Sequence, residues 1–165
     1  MFQEQLCELY EYSCWAWDQV MASLAQIPDE EYRLERPVFW GSLHGLVVHG
    51  WAAENIWLKR LRGESPQRLA GGLNFADLAA VQTAWAPLRA DWRAYLAGLD
   101  EATLFGRLTY RATEGTEHSV RVHGLLHHVL NHATEHRSQM TPLLAQLGAP
   151  TVALDYLYWQ YSQNL

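Results

Sequence analysis

Cysteine is scarce in this 165-residue chain, which holds only Cys7 and Cys14. Seven residues apart in what reads as one helix, they lie about 10.5 Å apart along its axis, too far to bridge. A disulfide scaffold is excluded, and the two read as small buried side chains in a reducing compartment. Basic residues are few as well: 12 against 18 acidic ones leave a formal net charge of −6. With no run of Lys or Arg, the chain has no electrostatic footprint for nucleic acid. No stretch reaches the roughly 18 to 20 apolar residues that a membrane span needs. No basic-then-apolar leader opens the sequence, and there is no internal repeat, low-complexity tract or evident linker. The expectation is one domain over residues 1–165, soluble and cytoplasmic, with neither nucleic acid nor membrane as partner.

Apolar residues make up 49% of the chain, enough for a core of ordinary size. From about Phe2 to Ala25, Leu6, Leu9, Tyr10, Ser13, Trp17, Val20 and Leu24 recur at helical spacing. Ile27-Pro28-Asp29 ends that helix, and Glu30 to Trp40 reads as a connection. A second helix opens at Gly41-Ser42 and runs to about Leu61, broken by Gly63, Ser65 and Pro66. Gly71-Gly72 marks a loop. Asn74 is the expected N-cap of a third helix from Phe75 to about Leu99, with Trp85, Leu88, Trp92 and Leu96 as its inner stripe. Between Leu104 and Arg121, apolar positions flank Glu114-Gly115, as in a short hairpin or an irregular loop. A fourth helix runs from about Val122 to Leu147 and stops at Gly148 and Pro150. The tail, Leu154 to Gln163, is a short last helix. The fold class is therefore all-α: a four-helix bundle with a hairpin or irregular insertion before its fourth helix and a short C-terminal helix.

The eight histidines fall in two groups, His44 and His49 in the second helix and His118, His123, His127, His128, His132 and His136 in or just before the fourth. With His132 at zero and about 100° per residue, His136 falls at about +40°, His128 at about −40° and Leu125, Val129 and Met140 between about +20° and +80°. These three histidines share the apolar face, while His123 and His127, about 180° and 140° away, point outward to solvent. On the second helix His49 shares its face with Leu46, Ala53, Ile56 and Trp57, whereas His44 lies about 140° away. One inward histidine is ordinarily a hydrogen-bonded core residue. An i, i+4 pair with a third imidazole from a facing helix suits chelation of one ion. Mutual hydrogen bonding of neutral imidazoles is the alternative on spacing alone.

The stretch His128-Val129-Leu130-Asn131-His132-Ala133-Thr134-Glu135-His136-Arg137-Ser138-Gln139 resembles the final-helix signature of the DinB-like superfamily, roughly H-x-x-x-H-x-x-x-H-R-G-Q. Tyr12-Ser13-Cys14-Trp15-Ala16 is similar to its first-helix Y-x-x-W-A element. The segment from Leu46 through His49 to Glu54 is similar to the helix that carries a lone metal histidine. Gln146-Leu147-Gly148-Ala149-Pro150 is similar to its helix-ending motif. The pieces span nearly the whole chain in order. Ser138 stands where the family usually has Gly, and Asp18 stands near a position often held by Asn.

The resemblance implies a bacterial four-helix bundle of the stress-response type, with thiol-dependent transferases among its relatives. Its metal ligands fall on His49, His132 and His136, and His128 falls at a position that more often supports a ligand than binds the ion itself. The implied cofactor is one divalent ion, Zn²⁺ or Ni²⁺, since imidazole ligands accept either. Three neutral imidazoles leave coordination positions open, where an ion lowers the pKa of a water or a thiol. Two functions follow as expectations: a metal-dependent enzyme, a thiol S-transferase or hydrolase acting on a small molecule with a low-molecular-weight thiol, or a non-catalytic metal- or ligand-binding protein. No catalytic nucleophile or acid/base pair can be assigned from spacing. Glu54, about 140° from His49, reads as a solvated charge. Glu135 and Arg137 read as surface or inter-helix ion pairs, and Tyr12 and Asp18 as pocket candidates. Relatives of this kind often pair through bundle helices, which makes Trp15, Trp51 and Trp85 the candidates for a homodimer surface.

Overall fold

The apolar stripes close on one another much as their periodicity requires. The computed structural model describes residues 2–68 and 75–163. Among these the order is α1 (Phe2–Leu24), α2 (Asp29–Arg33), α3 (Leu43–Leu61), α4 (Leu78–Ala97), α5 (Glu101–Phe105), β1 (Arg107–Arg111), β2 (Glu117–Arg121), α6 (Val122–Gln146) and α7 (Tyr156–Ser162). The four long helices form the bundle: α1 packs against α4 and α6, and α3 packs against the same two. This arrangement makes α3 and α6 neighbours, so His49 faces His132 and His136. No helix among the described residues is long and apolar enough to cross a membrane.

Aromatic side chains fill the middle of the core. Trp17, Trp85 and Trp92 are each 1% exposed, and Trp17 and Trp85 meet at 4.8 Å between ring centroids. Burying a side chain of this size contributes about 1.5–3 kcal/mol from area alone. Trp85 is thus spent inside the subunit, as is the buried Trp51, while Trp15 is half-buried. Two of the three tryptophans expected at a dimer surface are unavailable for it.

The connections depart from expectation in two places and decide an open alternative in a third. The segment after Pro28 forms the short helix α2, closed by Tyr32 N–H donating to the Pro28 carbonyl at 3.0 Å. The third helix begins at Leu78, where the Asp77 side chain accepts from Ala80 N–H. The expected cap Asn74 and the Gly71-Gly72 loop lie outside the described residues. The ambiguous stretch before the fourth helix holds α5 and then a true hairpin, β1 antiparallel to β2, with Leu108 opposite Val120 and Tyr110 opposite His118. Strand β2 runs into α6 without a loop, pinned where Val122 N–H donates to the Gly106 carbonyl at 3.2 Å. Gly148 takes φ +73° just past α6, the left-handed stop that glycine supplies without a Cβ clash. Helix α7 packs on α1.

Candidate metal centre

The turn before α3 places an aromatic ring over the site. Arg36 N–H donates to the Gly41 carbonyl at 2.7 Å, and Gly41 N–H donates to the Val38 carbonyl at 3.1 Å. Ser42 then caps α3 by accepting from Gly45 N–H at 2.9 Å. Trp40 and Gly41 both sit at positive φ, +67° and +73°. For a tryptophan this conformation costs about 1–2 kcal/mol and persists only where neighbours hold it. Gly45 permits it: a Cβ there would lie 2.0 Å from the Trp40 carbonyl oxygen. The result is a Trp40 indole stacked on the His49 imidazole, 3.8 Å between centroids and 15° between planes.

The three imidazoles converge. His132 Nε2 lies 3.2 Å from His49 Nε2 and 3.1 Å from His136 Nε2, and the three ligand atoms all fall within 4.8 Å of one another. His136 is buried, while His49 and His132 are half-buried. Hydrogen bonding explains only half of this. A ring nitrogen carries either one proton or one in-plane lone pair, so His132 Nε2 satisfies one imidazole neighbour and not two. A tetrahedral ion with Zn–N distances of about 2.1 Å holds its ligand nitrogens about 3.4 Å apart, close to the two spacings seen from His132 Nε2. The donor set therefore fits a divalent ion, and no fourth His, Cys, Asp or Glu joins the cluster among the described residues.

Burial, helped by the neighbouring imidazoles, depresses His49 to about 3 and His132 to about 4, and burial also lowers His136. All three are neutral, as metal ligands must be, across the physiological range. The unfolded chain takes up protons at these positions near pH 6.5, before the folded one does. Their contribution to stability is therefore complete above about pH 6.5 and is lost as the pH falls towards the folded values of about 4 and 3. Chelator-treated protein should show a melting temperature that drops through this window. His132→Asn should flatten that drop, and an unchanged slope would contradict the burial of these rings.

A profile of the DinB family matches residues 1–164. The chain belongs to the DinB family. Protein DinB of Bacillus subtilis (strain 168) is 27% identical over 157 residues, which cover 90% of each chain. In this DinB-family bundle the residues singled out from the sequence sort into three groups. His49, His132 and His136 come together. His128 lies beside them, its ring 5.5 Å from that of His132 and 5.4 Å from that of Trp57. It is exposed and makes no hydrogen bond to a ligand among the described residues. His123 and His127 are not merely solvated, because both pack on Phe2, at 6.3 Å and 5.8 Å. His44 packs edge-on to Tyr32 at 5.2 Å.

The remaining polar candidates lie elsewhere. Tyr12 OH donates to the Leu154 carbonyl at 2.6 Å, and Asp18 pairs with Arg89 at 2.7 Å on the outer edge of the α1–α4 contact. Neither reaches the histidines. Arg137 is 2% exposed and forms no ion pair among the described residues. It donates to Ser13 Oγ at 3.1 Å and Thr134 Oγ1 at 3.0 Å, and its guanidinium lies 5.6 Å from the Trp17 ring. Glu54 is the largest departure from the sequence reading. It does not reach the site, as expected, but it is 5% exposed. Its carboxylate accepts from Trp85 Nε1 at 2.9 Å and Tyr10 OH at 3.3 Å.

Proposed function

We propose that this DinB-family chain holds one divalent first-row ion, Zn²⁺ or Ni²⁺, on Nε2 of His49, His132 and His136. We take the protein to be a metal-dependent enzyme acting on a small molecule, transferring a low-molecular-weight thiol to an electrophile or hydrolysing a substrate. The observation that carries this reading is His132 Nε2, set 3.2 Å and 3.1 Å from two other imidazole nitrogens, an arrangement that hydrogen bonding alone leaves unsatisfied. Three protein ligands is the number found in catalytic zinc sites, whereas structural zinc is closed by four. When bound, the ion supplies Lewis acidity, lowering the pKa of a water or thiol beside the three imidazoles. The chain's own part is to hold those imidazoles neutral and aligned. Burial suppresses their protonation, and the Trp40 ring covers one face of His49.

Protein purified without an affinity tag should contain about one divalent ion per chain, as a single three-histidine site requires. Elemental analysis reads this directly. A chain that is metal-free and refuses zinc and nickel on reconstitution refutes the site. For the reaction, the loaded protein should consume electrophiles in the presence of low-molecular-weight thiols and lose that activity with chelator. Loaded protein inert towards the whole panel would mark it as a metal- or ligand-binding protein instead.

A further inference from the structure

Among the described residues two depressions of about 350 Å³ or more flank α6, and the larger is the less informative. A groove of about 440 Å³ between α1 and α6 is lined by Leu9, Tyr12, Leu130 and Asn131 among others. Its α6 residues lie on the side turned away from His132, about 100° to 160° around the helix. The second, about 350 Å³, is bounded by Trp57 of α3, Tyr110 and Val120 of the hairpin, Arg121 at the strand–helix junction, and Gly124 and His128 of α6. It is one imidazole away from the histidine cluster, because the His128 ring that lines it lies 5.5 Å from the His132 ring.

Gly124 is the feature the fold does not require. It sits in the first turns of α6, one turn before His128, with no left-handed φ, and a Cβ added there would meet nothing within 4 Å. A glycine inside a helix costs stability relative to alanine. Here neither backbone geometry nor a close neighbour repays that cost. What the missing side chain provides is open volume in the cleft.

The walls indicate what fills it. Trp57 and Tyr110 present aromatic surface, their rings edge to face at 5.3 Å. The Arg60 guanidinium rests 4.6 Å from each ring centroid. Arg60 is 7% exposed, forms no ion pair among the described residues, and its Nε is buried without a hydrogen-bond partner. Arg121 is exposed at the rim, and its side chain is likewise without an ion pair among the described residues. An apolar aromatic wall with positive charge behind it and at its edge, neither guanidinium being ion-paired among the described residues, complements a flat apolar body that carries an anion. The volume matches a small molecule.

We infer that this cleft, walled by the hairpin and kept open by Gly124, is the substrate-binding pocket beside the three-histidine site, and that it takes a flat apolar molecule bearing an anionic group. The inference rests on the proposed metal-dependent function for its location, and on the cleft's own lining for its ligand class. It also gives the hairpin a role, since β1 and β2 supply Tyr110 and Val120 to the pocket wall.

The test uses the full chain and 8-anilinonaphthalene-1-sulfonate, an aromatic body with a sulfonate, titrated by fluorescence against metal-free and zinc-loaded protein. Wild type should show one saturable site. Gly124→Phe fills the cleft and should weaken binding by roughly tenfold or more, while melting temperature and zinc stoichiometry stay as in wild type. Arg121→Glu reverses the rim charge and should weaken it by at least several-fold, with weaker salt dependence. Asn131→Phe, which fills the groove on the other side of α6, should leave binding unchanged. No site in wild type, unchanged binding in both cleft variants, or loss only in Asn131→Phe overturns the inference. If Gly124→Phe melts early, Arg121→Glu decides alone. Zinc uptake without a dye site removes the pocket and leaves the metal reading standing; a dye site without zinc uptake does the reverse.

Discussion

His132→Ala should lower zinc affinity by about 10²- to 10³-fold, the share that one ligand contributes to a four-coordinate site worth about 10–16 kcal/mol. Competition against a chromophoric chelator measures it. His132 is the choice because its Nε2 is the one nitrogen within hydrogen-bonding distance of both partners, 3.2 Å from His49 and 3.1 Å from His136. Its loss leaves two imidazoles on different helices and breaks the i, i+4 pair. Three other histidines calibrate the result. His127, exposed and packed on Phe2, should not change affinity when replaced by alanine. His128 touches the His132 ring without a hydrogen bond to it, so His128→Ala should cost less than the roughly 10- to 100-fold typical of a partner hydrogen-bonded to a ligand. His136→Ala should match His132→Ala. The same loss should appear in thermal melts: an ion bound only by the folded state adds about 4 kcal/mol when free zinc is about a thousand times Kd, and at that zinc concentration the His132 variant should keep only about 0.4–1.4 kcal/mol of it. Equal losses from His127→Ala and His132→Ala would mean that zinc is held elsewhere.

The bundle was legible because a 3.6-residue period sustained over 19 to 25 residues has few competing readings. The same period picked out His49, His132 and His136, since a helical wheel reports which side chains share a face. It does not report what that face meets. Glu54 points away from His49, which from α3 alone reads as solvent. In the bundle α3 is flanked by both α4 and α6, so the direction away from the histidines leads to Trp85 and Tyr10. Arg137 misled for the same reason, being turned from the ligand pair but towards α1. Helices α2 and α5, five residues each, are too short to show a period. Trp40 could not be placed from sequence, because its position over His49 depends on a positive φ in a turn and on the absence of a Cβ at Gly45. The Trp40-Gly41 pair directly before the Ser42 cap was the available sign. The cleft beside His128 required the hairpin, which the sequence left undecided against an irregular loop.

Glu54→Ala should be the most damaging single change outside the histidines, costing about 3–5 kcal/mol of unfolding free energy and roughly 6–20 °C in melting temperature for a chain of this size. A solvated glutamate would cost less than about 0.5 kcal/mol, so the measurement separates the two readings cleanly. The carboxylate joins three helices: Trp85 Nε1 of α4 and Tyr10 OH of α1 both donate to it, at 2.9 Å and 3.3 Å, and its backbone carbonyl accepts from Trp92 Nε1 at 3.2 Å. Alanine strands two buried donors and opens a cavity among the core aromatics. The buried Nε1 atoms of Trp17 and Trp51 have no partner among the described residues, so the stranded donors would join two that already lack an acceptor. Glu54→Gln keeps the volume and one acceptor oxygen but places an amide N–H₂ in the core, and should cost about 1–2 kcal/mol. The pH dependence identifies the charge state. Burial raises the Glu54 carboxyl above its ordinary value, with the Trp85 hydrogen bond and the Arg89 and Arg137 charges opposing it. A carboxyl with a raised folded pKa binds its proton more tightly in the native state. Its contribution is therefore greatest below the unfolded value of about 4.3 and declines as the pH rises through the folded one. The stability margin of wild type over Glu54→Gln should narrow between pH 4 and pH 7 in urea titrations. A margin that widens over that range would mean that Arg89 and Arg137 hold the group as a carboxylate despite its burial.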